Sequence, residues 1–193
     1  TIGDWSSDVC SSDLMAPLSP LAQEYKEAFD GRMIVFDMDG TLWWFWLDTH
    51  VDPPIRRSGM GFKDRSGNEF DFYPDVREIL LALHEADIPI ALASSTWTPS
   101  LGQTIIDTIL VDKNHTLGDI VSYRELITCQ KFTHFEHIRN DSGYTYEQMI
   151  FIDDEKHNLD DIETIGVMCF YEPKGVSKKV FRKIIERVKE ESR

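Results

Sequence analysis

The chain has 193 residues, 41% of them apolar, which is enough for one domain with a sizeable core, and a second full domain is not expected. Thirty-four acidic residues against 20 basic ones give a formal charge of −14, which argues against general affinity for nucleic acid or for an anionic membrane surface. No run approaches the roughly 18 consecutive apolar residues of a membrane span, so a soluble protein is expected, and the wide spacing of Cys10, Cys129 and Cys169 suits a reducing compartment, cytoplasm or nucleus, better than a disulfide scaffold.

Residues 1–14, "TIGDWSSDVCSSDL", have neither core periodicity nor the basic start and apolar middle of a secretory signal. They read as translated adaptor sequence, a non-native or disordered extension, with the natural start expected at Met15 and a single domain over residues 15–193. The run "MIVFDMD" (33–39) is apolar without alternation, as for a strand covered on both faces. It leads into "GTLWWFW", where two of Trp43, Trp44 and Trp46 are expected to pack beneath a loop. Residues 48–73, rich in Gly, Pro, Arg and Asp, read as a loop or small hairpin, able to lie over a site as a flap but too short for a cap domain. A helix is expected over 74–87, where Pro74 precedes Val76, Ile79, Leu80 and Leu83 on one face, and a strand over 88–94. Further on come a helix from Lys131, a strand over 149–154, a helix closing on Gly166 and a strand over 167–171. In the basic C-terminal run, Phe181, Ile184, Ile185 and Val188 fall at helical spacing, so an amphipathic docking helix is expected there rather than a nucleic-acid contact. This alternation indicates an α/β chain: a three-layer Rossmann-like domain with a mainly parallel sheet flanked by helices and no large cap.

In such sheets ligands bind at the carboxyl ends of strands. Asp37 and Asp39 end one expected strand, Ser94 and Ser95 a second, and Asp153 and Asp154 a third. Converging carboxylates repel one another unless a cation neutralises them, and an all-oxygen set suits Mg²⁺. With phosphate so held, one carboxylate can attack phosphorus while another handles the proton of the leaving oxygen. Donors around the phosphoryl oxygens could come from Ser94, neighbouring amides and Lys131, whose charge adds to a positive helix end. His134 and His137 stand three apart with no third nitrogen or sulfur ligand evident, so zinc is not expected, and Cys129 is expected to be a structural thiol. The role of His50 stays open between structural and substrate-facing.

"DMDGTLW" resembles the D-x-D-x-T motif of the haloacid dehalogenase superfamily, "ALASST" looks like its serine or threonine motif, and Lys131 and "FIDDE" look like its third and fourth. More narrowly, "FDMDGTLWWFWLDTHVDPP", "KFTHFE" and "FIDDEKHN" are similar to the small capless eukaryotic magnesium-dependent phosphatases, over roughly residues 32–172. The resemblance implies a Mg²⁺-dependent phosphatase acting on phosphotyrosine or sugar phosphates through an aspartyl-phosphate. Asp37 would be nucleophile and metal ligand, and Asp39 the acid/base that also binds metal through its backbone carbonyl. Ser94, Lys131 and the backbone around Met38 and Ser95 would hold phosphate, Asp153 would complete the metal set, and Asp154 would stand behind it. Partners would be a phosphorylated small molecule or phosphoprotein, with no nucleic acid or membrane, and the chain is expected to be a monomer. Two departures are Gly40, where the family usually has tyrosine, and Ser95, where it often has arginine; the second bears on substrate preference. Retention of Asp39 favours phosphoryl transfer over carbon–halogen hydrolysis. The competing readings are a non-catalytic phospho-ligand binding module on the same fold, and a signalling receiver domain, which the order of the acidic motifs disfavours.

Overall fold

The computed structural model describes residues 17–191, so the expectation for residues 1–14 lies outside the described residues. Chain order runs α1 (Pro20–Phe29), β1 (Met33–Phe36), the one-turn helix α2 (Leu47–His50), and three short strands β2 (Arg56–Ser58), β3 (Gly61–Lys63) and β4 (Glu69–Phe70). It continues with α3 (Val76–Glu85), β5 (Ile90–Ser94), α4 (Pro99–Ile106), α5 (Leu117–Ile120), β6 (Tyr123–Leu126) and α6 (Lys131–Ser142). The last elements are β7 (Met149–Asp153), α7 (Lys156–Glu163), β8 (Met168–Tyr171) and α8 (Lys178–Glu191).

The continuous apolar runs become the inner strands of a five-stranded sheet in the order β6-β5-β1-β7-β8, parallel throughout. Val35 at its centre faces Ala91 on one side and Phe151 on the other. These strands show no alternation in hydrophobicity because both faces are covered, yet their side chains alternate in destination. Ile34, Phe36, Ile90, Leu92, Ile150 and Ile152 join the larger core with α1, α3 and α8. Met33, Val35, Ala91, Ala93, Met149 and Phe151 join a smaller one with Phe135 and Ile138 of α6 and Leu159 and Ile162 of α7.

The expected docking helix is α8, which buries Val180, Phe181, Ile184, Ile185 and Val188. Phe181 sets its ring 5.1 Å from Tyr25 and 6.2 Å from Phe36, tying α8 to α1 and to the sheet. Each such side chain contributes about 1.5–3 kcal/mol of transfer free energy. In α1, Ser19 caps the first turn by accepting from the amide of Ala22 at 3.2 Å, and Pro20 follows where a missing N–H costs nothing.

Within residues 48–73, β2, β3 and β4 form an antiparallel sheet. It is held by an aromatic group in which Phe45 lies 4.8 Å from Phe70 and Phe62 lies 5.1 Å from Phe70. Trp43 is fully buried and stacks on Phe45 at 5.0 Å, and half-exposed Trp44 stacks on Phe70 at 6.1 Å. Of the three tryptophans only Trp43 is buried, where two were expected to pack: Trp44 is 55% and Trp46 50% exposed, Trp44 touching Phe70 from the surface and Trp46 free to face a ligand. Between Thr41 and Ser94 the chain is used up by α2, the small sheet, α3 and β5, which leaves no cap domain among the described residues. No helix among the described residues is long and apolar enough to cross a membrane.

Candidate active site

The chain leaves β1 outward through β5 to β6 and then returns to β7 beside β1, so the carboxyl end of β1 is the point where the crossing direction changes. Asp37 is the first residue past that end and is fixed by its amide, which donates to Ile152 O at 3.0 Å. Pairing in parallel register brings the last residues of β5 and β7, Ser94 and Asp153, to its two sides. All three are buried, as is Lys131, which reaches in from the first turn of α6.

Lys131 Nζ donates to Asp37 Oδ1, donates to Ala93 O at 2.5 Å, and lies 3.4 Å from Asp153 Oδ2. Burial pushes the Asp37 carboxyl well above the usual carboxylate range; the lysine pulls it back and Asp153 pushes it further up. The same two carboxylates hold the Lys131 ammonium above its ordinary value although burial works against it. Asp153 is fixed by the Glu155 amide at 2.7 Å and by Asn158 Nδ2 at 3.0 Å.

Asp154, which the sequence reading placed behind the metal set, contributes an oxygen that lies within 4.8 Å of oxygens from both Asp37 and Asp153. Thr41 Oγ1 donates to it at 3.4 Å. Gly40, at φ +75°, leaves it room, since a Cβ there would come within 2.2 Å of Asp154 Oδ2. Hard oxygen donors from three carboxylates at this spacing fit a small divalent cation such as Mg²⁺.

The Asp39 carboxylate lies outside that trio and instead accepts from Trp43 Nε1 at 2.7 Å and from the Leu47 amide at 2.9 Å. Burial, outweighing these bonds, pushes its pKa up to about 6. Met38 places its side chain in the core, so only its main chain can face a ligand. Ser95 donates its hydroxyl to Cys129 O at 2.9 Å. Asp37, Asp39, Ser94, Ser95, Lys131 and Asp154 share one pocket of about 740 Å³, with Trp46 and Trp97 on its walls.

Of residues 48–73 only Asp48 and Thr49 line this pocket, so the small sheet is packing material beside the site and not a flap over it. His50 Nδ1 accepts from the Trp46 amide at 2.9 Å, a bond made within its own segment. His134 and His137 part company: His134 is buried with Nε2 3.1 Å from Ser94 O, and His137 pairs with Glu125 at 2.8 Å on the surface. Burial raises the Cys129 thiol pKa, in keeping with an unreactive group. Asp48, Thr96 and Trp97 were not singled out by sequence; Asp48 lies on the one-turn helix α2 and Thr96 and Trp97 in the loop after β5, with no periodicity to mark them.

Residues 31–191 match the acid phosphatase family. Magnesium-dependent phosphatase 1 of Homo sapiens is 36% identical over 159 residues, covering 80% of this chain and 85% of the relative. A HAD-like hydrolase superfamily protein of Schizosaccharomyces pombe is 32% identical over 142 residues, covering 70% and 82%. Among solved structures, the cobalt-bound form of the deoxy-D-mannose-octulosonate 8-phosphate phosphatase of Haemophilus influenzae has a TM-score of 0.52 at 20% identity, over 87% of this chain and 91% of that one. The N-terminal part of a Bacteroides fragilis protein containing a phosphatase domain, complexed with Mg, has a TM-score of 0.54 at 16% identity, over 79% of this chain and 39% of that one. These two share the fold. With a family match over most of the chain and a parallel sheet that gathers the D-x-D, serine, lysine and Asp-Asp motifs at one end, the chain belongs to the acid phosphatase family, within the haloacid dehalogenase superfamily, and is similar to the small eukaryotic magnesium-dependent phosphatases.

Proposed function

We propose that the chain is a Mg²⁺-dependent phosphomonoesterase that works through an aspartyl-phosphate on Asp37. The observation that carries this reading is the buried Asp37–Lys131–Asp153 contact at the floor of a pocket that also holds the Asp39 carboxylate. Mg²⁺ held by Asp37, Asp153 and Asp154 would supply positive charge to the phosphoryl oxygens and to the carboxylate cluster.

Lys131 donates to Asp37 and opposes the rise that burial imposes on its pKa, and Mg²⁺ held by the same carboxylate would further favour the ionised form, whose oxygen attacks phosphorus. The new bond joins an Asp37 oxygen to phosphorus as the ester P–O bond breaks, and the departing oxygen takes a proton from Asp39. Asp39 then accepts a proton from the water that attacks the aspartyl-phosphate, which releases phosphate and restores both carboxyls. Trp43 and Leu47 hold Asp39 in place for both transfers. Ser94, the amides around Met38 and Ser95, and Lys131 bind the phosphoryl oxygens, in a site where preorganised donors carry much of the rate enhancement.

The substrate we favour is a phosphotyrosine or a phosphorylated sugar. A pocket of about 740 Å³ without a cap accepts either, and the indole faces of Trp46 and Trp97 suit a flat leaving group. The test is phosphate release from p-nitrophenyl phosphate by wild type and by folded Asp37→Asn, each with Mg²⁺ and with EDTA. Turnover that requires Mg²⁺ and vanishes in the variant is expected; activity persisting in Asp37→Asn would assign the nucleophile elsewhere.

A further inference from the structure

We infer that Asp48 is a positioning residue for this reaction: it fastens the phosphate-binding loop that follows β5 to the segment that holds the acid–base carboxylate. The inference rests on the phosphatase reading above. The loop over residues 95–98, directly after Ser94 at the end of β5, carries Ser95 on the phosphate side and Trp97 at the mouth of the pocket. Asp48, an exposed residue on α2, reaches it with both carboxylate oxygens. Its Oδ1 accepts from Thr96 Oγ1 at 3.0 Å and from Thr98 Oγ1 at 2.5 Å, and its Oδ2 accepts from the Trp97 amide at 3.1 Å. Thr96 Oγ1 also accepts from the Thr98 amide at 3.0 Å. One carboxylate therefore fixes three consecutive residues.

The opposite side of the loop is held by the segment before α6. Thr128 Oγ1 donates to Thr96 O at 2.7 Å, and Ser95 Oγ donates to Cys129 O at 2.9 Å. Asp48 supplies the matching hold from the β1 side. Its neighbour Leu47 gives its amide to Asp39 Oδ2 at 2.9 Å, so two adjacent residues of α2 join the proton-transfer group to the phosphate donors. An ordinary acidic residue in a helix's first turn acts on its own helix. All three Asp48 bonds instead go to residues 48 to 50 positions away. An exposed carboxylate adds little to global stability, but charge-assisted bonds of this kind fix geometry. Displacing catalytic donors by about 1 Å can cost about 10²-fold in rate.

The full chain as Asp48→Ala, Asp48→Asn, Thr98→Val and the Asp48→Ala/Thr98→Val double variant is assayed on p-nitrophenyl phosphate, with inorganic phosphate as inhibitor and Mg²⁺ titrated separately. Asp48→Ala is expected to lower kcat/KM by roughly 10- to 100-fold and to raise the inhibition constant of phosphate. The Mg²⁺ concentration for half-maximal activity and the Mg²⁺-induced rise in Tm stay at wild-type values, because Asp37, Asp153 and Asp154 are untouched. Asp48→Asn keeps an acceptor for the two hydroxyls and loses the one for the Trp97 amide, so it falls between alanine and wild type. Thr98→Val weakens activity by itself, and adding it to Asp48→Ala changes little more, since both act through one loop. Should Asp48→Ala fail to fold, Asp48→Asn and Thr98→Val carry the same test. The inference is overturned by an active wild type whose Asp48 and Thr98 variants match it, by additive losses in the double variant, or by a Mg²⁺ midpoint that moves with the phosphate constant. A wild type without Mg²⁺-dependent turnover overturns the parent reading, and the inference with it.

Discussion

Lys131→Met removes the buried ammonium that contacts both Asp37 and Asp153 while keeping most of the side-chain volume. In EDTA the two carboxylates would then face each other with no cation between them. Removing one partner of a buried ion pair costs about 3–5 kcal/mol, because the remaining charge is left uncompensated. For a chain of this length each kcal/mol lowers Tm by about 2–4 °C, so a fall of about 6–20 °C is expected in thermal melts followed by circular dichroism. Mg²⁺ should raise the Tm of the variant more than that of wild type, because the metal then takes over a neutralisation that the lysine otherwise performs. A fall of less than about 2 °C in EDTA, or a Mg²⁺ shift no larger than wild type's, would refute the view that Lys131 is the site's internal counter-ion.

Two further outcomes follow from groups around the same pocket. His134 is held below its ordinary pKa by burial first and by Lys131 second, so the unfolded chain takes up a proton there that the native state resists. Above about pH 6.5 both states are neutral at this residue and no stability is at stake; as pH falls through that value stability is lost. Wild type should therefore lose Tm more steeply than His134→Gln between pH 7 and 5, and parallel slopes would exclude His134 as the cause. Trp97 is 80% exposed, so Trp97→Ala should leave stability within about 0.5 kcal/mol of wild type. The same variant should raise KM for p-nitrophenyl phosphate by roughly two- to tenfold, from a stacking contribution of about 0.5–1.5 kcal/mol, and leave KM for glycerol phosphate unchanged; equal effects on both substrates would deny it a role in reading the leaving group.

The inner strands were legible because a parallel strand covered on both faces leaves an unbroken apolar run, and the end of each run announced a cluster of site residues. The run at 33–39 is three residues longer than the strand it marks, since Asp37 and Asp39 follow β1 instead of ending it. β6 escaped notice because it lies at the sheet edge, where Tyr123, Arg124 and Glu125 are only partly buried and leave no apolar run. α1 and α4 begin at prolines and carry apolar residues at helical spacing, Ala22, Tyr25, Ala28 and Phe29 in the first and Leu101, Ile105 and Ile106 in the second, so the signal for both was present and was missed. In the site, Asp37, Ser94, Lys131 and Asp153 were placed by motif and order, and the structure brings them together. Asp154 gained weight because its oxygen reaches the other two carboxylates, a matter of turn geometry after β7 that no spacing rule conveys. Asp48 and Trp97 depend on a contact between segments nearly 50 residues apart, which leaves no local trace in either.

The two unequal cores on either side of the sheet divide the site by how firmly its parts are anchored. β1, which delivers Asp37, is hydrogen-bonded along both edges at the middle of the sheet. α6 and α7, which supply Lys131 and Asn158, rest on the smaller core alone. Native-state hydrogen exchange should then report a graded molecule, with amides of β1 opening only in global unfolding and those of α6 and α7 opening at lower free energy. Partial opening of that outer layer would scatter the groups that hold phosphate and metal while the chain around the nucleophile stayed folded, so loss of ligand capture and loss of structure need not coincide as conditions become harsher.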